Sequence, residues 1–269
     1  IIISTYFNMD VIYFITNYWI FSFALLFFTI FLMDSLFLNK EPQIEESQKN
    51  FVLELIDADV MIKNKKMFYF NSIAIIITIA LFAILPLLYL TAAFSATLLV
   101  LVNKKYTKKA MSDLLRDIEW EIIFFFISLY IVVGCLIEAG FKDLFREIPF
   151  EALSPYLLAL VILIAVSLIS GFVANTPTAL VFIPIIELLI VEYGFSPIPL
   201  LFAFLIGINL GGNLIPQGAA CDMMTLKIAQ NNNVDNLGYK RLLKVGAMFA
   251  LIHIACSVGY VMVLVFIYG

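Results

Sequence analysis

Apolar runs at 11–38, 68–102, 119–139, 155–192, 197–226 and 245–268 alternate with short polar segments along the chain. One helical crossing of a bilayer takes roughly 17–25 apolar residues. Segment 68–102 therefore holds two crossings, and the interruption "ILPLLYLT" around Pro86 predicts a tight hairpin of helices 68–85 and 87–102. Segment 155–192 also has double length, and its middle, "SGFVANTPTA", is small and polar. Two helices joined at a tip are predicted there, a re-entrant hairpin over 155–192. Segment 197–226 is interrupted by "GINLGGNLIPQG", where glycines and a proline weaken helix formation, so a broken helix is predicted.

The basic residues sort the same way. Segments 38–67, 103–118 and 227–244 hold 14 of the 16 Lys and Arg residues, and the other two are Lys142 and Arg146. The positive-inside rule places these three segments in the cytoplasm. That topology requires an even number of crossings in 68–102. It also requires 155–192 to enter the membrane and return to the same side. Segment 38–67 is of mixed charge with an amphipathic pattern at Phe51, Leu53, Leu55, Ile56 and Val60, which predicts a cytoplasmic linker with an interfacial helix.

Composition fixes the class. The chain is 63% hydrophobic and 13% charged, about half the charge of a typical soluble domain. The fold class expected is an all-α membrane protein, a polytopic helix bundle with a re-entrant hairpin and a broken transmembrane helix. Cys135, Cys221 and Cys256 show no metal or disulfide spacing and are expected as small buried residues. No signal peptide is recognised before the first apolar run, and the opening Ile1 suggests a fragment or a processed chain.

"ANTPTA" at 174–179 and "NLGGNLIPQG" at 209–218 share a grammar of half-helix, Asn with Thr or Gly, Pro and a second helix. Thr176 and Pro177 make an N-cap and N1 pair, and Pro216 is placed to open a helix through 217–229. Non-helical backbone within a membrane survives where protein buries it or where it lines a wet cavity. There, freed carbonyls hold cations and helix N-termini favour anions. Asn209, Asn213 and Gln217 add amide groups. The plain alternative is that the small residues serve only close helix packing.

Asp222, past Pro216, is a candidate cation ligand or proton carrier, or else a carboxylate in a watery vestibule. Glu138 and Glu192 read as interfacial, Glu187 lies toward the outer end of the hairpin, and His253 reads as a core histidine. Trp19 and Trp120 read as belt or packing residues.

These stretches resemble the ion transporter superfamily, in particular its arsenite permease and NhaD-type antiporter branch with citrate and dicarboxylate relatives. "DIEWEIIFFFISLYIVVGCLIEAG" (117–140), "SGFVANTPTALVFIPII" (170–186), "GINLGGNLIPQGAACDMMTLKIA" (207–229) and "LIDADVMIKNKKM" (55–67) carry the likeness. The resemblance implies two inverted repeats sharing one site near the midplane, with an elevator-like motion. It makes Asn175, Thr176 and Thr178 hairpin-tip ligands, with Pro177 beside them. It makes Asn209, Gly212, Asn213, Pro216 and Gly218 the break; Gly211 and Gln217 join them as candidate ion-binding residues, and Asn175, Asn213 and Asp222 are a candidate Na⁺ position. Ala174 stands where the family usually has Ser, and Asp222 where it often has Asn; a carboxylate there disfavours an anion unless protonated or paired with a cation.

One copy of the hairpin-plus-break pattern is present. Residues 1–38 are thus expected to be the last span of an otherwise missing first repeat, 39–67 a linker and 68–269 the C-terminal transport repeat. The function expected is secondary active transport of a small ion across the plasma membrane. An anion permease coupled to Na⁺ or H⁺ comes first, then a Na⁺/H⁺ antiporter, then a non-transporting scaffold subunit. A lone His253 and a lone Asp222 supply no nucleophile–base pair, so an enzyme is not expected, and no ATP-binding loop is visible. No cofactor is expected besides the coupling ion. Expected partners are the bilayer, a small inorganic or carboxylate ion, the missing N-terminal repeat and a second copy in a homodimer, without nucleic acid.

Overall fold

The computed structural model describes residues 3, 6–7, 9, 11–40, 46, 62, 64–85, 87–107, 116, 120–173, 175–231, 234 and 237–269. The amphipathic stretch at 51–60, Pro86 and Ala174 lie outside the described residues. The chain forms two compact units, one of residues 9–120 and one of residues 1–8 with 121–269.

In the 9–120 unit, α1 (Val11–Leu36) precedes a helical hairpin of α2 (Lys65–Ile84) and α3 (Leu88–Thr107). Asn64 caps α2 by accepting the Met67 amide proton at 3.1 Å. The hairpin sits where the Pro86 interruption predicted it. Its open ends are tied by Asn103 Nδ2 donating to Asn71 Oδ1 at 2.8 Å, which brings Lys65, Lys66 and Lys104 to one end. An apolar groove of about 240 Å³ runs between α2 and α3 past Phe70, Ile77, Phe94 and Leu98.

In the other unit, α4 (Trp120–Glu138) is followed by a short α5 (Phe141–Arg146), turned 56° from it. Gly140 makes that corner at φ 85°, a left-handed conformation costly for residues with a Cβ. α6 (Pro155–Val173) and α7 (Asn175–Val191) form the hairpin, with Pro184 inside α7. α8 (Pro197–Gly211) leads into the break, α9 (Ala220–Asn231) follows it, and α10 (Tyr239–Tyr268) closes the unit.

α8 is the centre. Its sequence "PIPLLFAFLIGI" is apolar all round, and Pro199 through Ile208 are all buried. A helix without a polar face is stable only when surrounded. α6, α7 and α10 surround it; Phe204 meets Phe182 of α7 at 6.3 Å and Phe202 meets Tyr260 of α10 at 6.1 Å. Among the described residues four helices, Thr16–Leu36, Lys65–Phe82, Pro155–Val173 and Tyr239–Tyr268, are long and apolar enough to cross a membrane, and the bent α4–α5 pair is a further candidate. The protein is an all-α polytopic membrane protein.

Three expectations change here. The segment 227–244 is not one basic loop: Lys227 belongs to α9, and Lys240, Arg241 and Lys244 belong to the first turns of α10. Helix propensity carries both helices past the apolar runs. The cysteines are exposed and unpaired rather than buried. Small apolar side chains gain nothing from leaving a lipid-facing surface, so hydropathy does not tell a core position from a lipid-facing one. Lys142 and Arg146 are not isolated exceptions to the charge pattern. Lys142 pairs with Glu187 at 2.5 Å, and Arg146 pairs with Asp143 at 2.6 Å and with both oxygens of Glu192.

Candidate functional site

The hairpin closes on itself at its base. Phe150, ahead of α6, stacks edge-on against Tyr193, just past α7, at 5.6 Å, and the Tyr193 hydroxyl donates to the Arg146 carbonyl at 3.2 Å. The Arg146 guanidinium holds the Glu192 carboxyl below its ordinary range. α5 is thereby clamped to the base. α6 then rises 19 residues, about 28 Å, to the tip.

Near the tip, α6 and α8 approach through small residues on both faces. Ser167 and Gly171 on α6 and Gly207 and Gly211 on α8 are each spaced by four. A Cβ at Gly211 would lie 2.8 Å from the Ser167 Cα and carbonyl carbon, with its carbonyl oxygen closer still. A Cβ at Gly207 would lie 3.0 Å from the Leu163 carbonyl oxygen, and one at Gly171 3.0 Å from the Gly211 carbonyl oxygen. In lipid, such close approach supplies the packing attraction that water supplies to soluble helices.

This seam docks the tip onto the break. Ser170, fully buried, places its Oγ 2.9 Å from the Ile208 carbonyl oxygen and 2.8 Å from Asn175 Oδ1. A hydroxyl has one proton, so donation to Ile208 leaves Oγ to accept from the Asn175 amide turned about its last torsion. Gly212, the C-cap of α8, touches the same amide: a Cβ there would lie 2.7 Å from Asn175 Oδ1. Past it the backbone makes a turn, extends at Ile215, forms a 3₁₀ turn over Pro216–Gly218 and extends again at Ala219. Gly218 fits because a Cβ would meet the Gly171 and Gly212 carbonyl oxygens, each at 2.8 Å. Tip residues 170, 171 and 175 and break residues 211–218 are therefore one constellation, rich in backbone carbonyl and amide groups.

The individual site residues differ in placement. Asn175, Gly211, Gly212 and Gly218 lie together at the tip and break, and Pro216 is buried at the start of the 3₁₀ turn. Thr176 is not an N-cap, because α7 already starts at Asn175; Pro177 falls in the first turn, where its missing N–H has no helical partner to lose. Thr178 is 1% exposed, within α7. Asn209 is within α8, on an exposed side, and donates to the Leu205 carbonyl at 2.7 Å, so it is no part of the break. Asn213 is exposed, with its carbonyl oxygen 3.1 Å from where a Cβ of Gly246 would lie. Pro216 opens the 3₁₀ turn rather than the second helix, which begins at Ala220 after the extended Ala219. Asp222 is half-buried in the first turn of α9, with Cys221 Sγ at 4.0 Å from Oδ1.

The break touches α10 within about two turns of its start, at Tyr239 and Gly246. This end carries Lys240, Arg241 and Lys244. α10 spans about 45 Å, longer than the roughly 30 Å hydrocarbon layer. The constellation thus lies near the basic end of α10, not at its middle. α6 and α8, at about 28 and 22 Å, reach past half the layer before they end.

Sequence reasoning passed over Ser167, Ser170, Gly171, Gly207 and Tyr239. The four-residue spacing of small residues on two apolar segments is the signal that reveals Ser167, Gly171 and Gly207.

A hairpin tip docked on a broken helix, within a helical membrane bundle, is an arrangement that membrane transporters use at their sites. The family comparison agrees: the citrate transporter family model matches residues 1–207, and the chain belongs to that family. The matched stretch takes in the hairpin and ends just before the break. An uncharacterized transporter of Synechocystis sp. is 22% identical over 65% of this chain and 43% of its own length. One from Mycobacterium tuberculosis is 24% identical over 74% of this chain and 47% of its own. A "46 kDa membrane protein" of Mycobacterium leprae is 29% identical over 53% of this chain and 33% of its own. The chain spans less than half the length of these curated relatives. No solved structure matches it.

Proposed function

We propose that the chain is one repeat of a secondary active transporter that moves a small anion, of the citrate, dicarboxylate or arsenite type, with Na⁺ or H⁺. The observation that carries this is the docking of Ser170, Gly171 and Asn175 on residues 208–218 in a chain of the citrate transporter family. Peptide amides there suit an anion, and carbonyl oxygens with the Asn175 and Asn213 amides suit a coupling Na⁺. A second repeat supplies the other half of the site, in a plasma-membrane protein with its basic ends in the cytoplasm.

Asp222 favours a second reading, Na⁺/H⁺ antiport, because an acid at the break is able to carry a proton or bind a cation. One experiment separates the two. The full-length protein in proteoliposomes is given Na⁺ and pH gradients separately, with citrate, succinate and arsenite in competition. Anion uptake driven by either gradient, uncoupled by Asp222→Asn, supports the first reading. Gradient-driven Na⁺/H⁺ exchange indifferent to every anion replaces it with the second. Neither flux from protein shown to be folded refutes both.

A further inference from the structure

We propose that Tyr239 is a positioning residue that sets the polarity of Gln217, leaving that amide's donor end for the transported anion. The inference rests on the anion reading above. The Tyr239 hydroxyl donates to Gln217 Oε1 at 2.7 Å, joining the first residue of α10 to the 3₁₀ turn of the break, 22 residues away. The backbone of that turn is fixed, because Gly218 packs against the Gly171 and Gly212 carbonyls. The Gln217 side chain is otherwise long and exposed, and it has no geometry of its own to choose.

A primary amide presents an acceptor at one end and two N–H donors at the other. A free amide rotates to suit a cation or an anion. A phenol hydroxyl carries one proton to donate, and here it goes to the amide's oxygen. The acceptor end is thereby occupied, and both Nε2 protons remain for a ligand. The same end of α10 exposes Lys240, Arg241 and Lys244, whose positive potential favours an anion at the mouth of the break. Asp222, half-buried on α9, is the acid nearest in sequence to this turn.

The test is a double-mutant cycle on the full-length protein in proteoliposomes, with citrate, succinate and arsenite as probes. Tyr239→Phe keeps the ring and removes the proton. Its KM for the anion is expected to rise about three- to tenfold, the worth of one hydrogen bond, with Vmax within twofold. KM does not depend on how much of the protein is folded. In the Gln217→Ala background, Tyr239→Phe is expected to add nothing further. An unchanged KM in Tyr239→Phe overturns the proposal. So does a loss confined to Vmax, or a Tyr239→Phe effect that persists undiminished without the glutamine. Wild-type protein that takes up none of the three anions overturns this proposal together with the anion reading, whereas normal wild-type uptake with an indifferent Tyr239→Phe overturns this one alone.

Discussion

Gly211→Ala tests the seam between α6 and α8 with one methyl group. That methyl carbon would lie 2.8 Å from two Ser167 backbone carbons, against 3.4 Å for ordinary contact, so the helices must part by roughly 0.6 Å or more. Backbone cannot swing aside as a long side chain does. The Ser170–Ile208 hydrogen bond, now 2.9 Å, then stretches to the edge of bonding distance. Overpacking costs about 1–3 kcal/mol and the weakened bond about 0.5–1.5 kcal/mol, while the gain in helix propensity returns about 1 kcal/mol. The net loss is on the order of 0.5–3.5 kcal/mol, or several degrees in Tm. Gly134 and Gly259 are the controls, since both are helical and a Cβ at either meets nothing within 4 Å. Thermal unfolding in detergent should show Gly211→Ala well below wild type, and Gly134→Ala and Gly259→Ala at or above it. Three equal shifts, or a stabilised Gly211→Ala, would refute the close approach.

Ser170→Ala should lower Tm by a few degrees, because a buried carbonyl and the Asn175 amide both lose a partner; an unchanged Tm would show that the tip is not tied to α8. The clamp at the hairpin base should be pH-sensitive. Because Glu192 is held below its ordinary range when folded, its contribution is present above that range and is lost as pH falls through the depressed value. The wild-type Tm should therefore drop more than that of Arg146→Gln between about pH 5 and 3, and parallel curves would remove the clamp from the account. Cys221, exposed at the start of α9, should react with a membrane-impermeant maleimide from the basic side of sided vesicles and be protected by citrate; labelling only from the opposite side contradicts the placement of the break.

The helices were legible because a bilayer imposes a length on apolar runs, and the hairpin because 155–192 has double length with a small, polar middle. The break was legible because glycine, proline and asparagine stand together there. Residue roles were less so. Asn209 and Asn213 look alike in sequence, yet one lies on a finished helix and the other in a turn, a difference set by where α8 meets α6. Pro216 reads as a helix start, but Gly218 must first pass beneath two carbonyl oxygens, which delays α9 to Ala220. The Lys142–Glu187 and Arg146–Glu192 pairs join residues some 45 positions apart, and local pattern carries no sign of them.

The transport reading rests on the hairpin tip and the helix break lying against one another at the transport site. Its most direct measurement is uptake by the full-length double variant Asn175→Cys with Gly212→Cys, made without the other cysteines, before and after oxidation. A Cβ at 212 sits close enough to the 175 side chain for a disulfide to form with little movement. The account predicts rapid cross-linking that alters uptake and is reversed by a reductant. Cysteines that stay free under oxidation, or a cross-link that leaves uptake untouched, would contradict it.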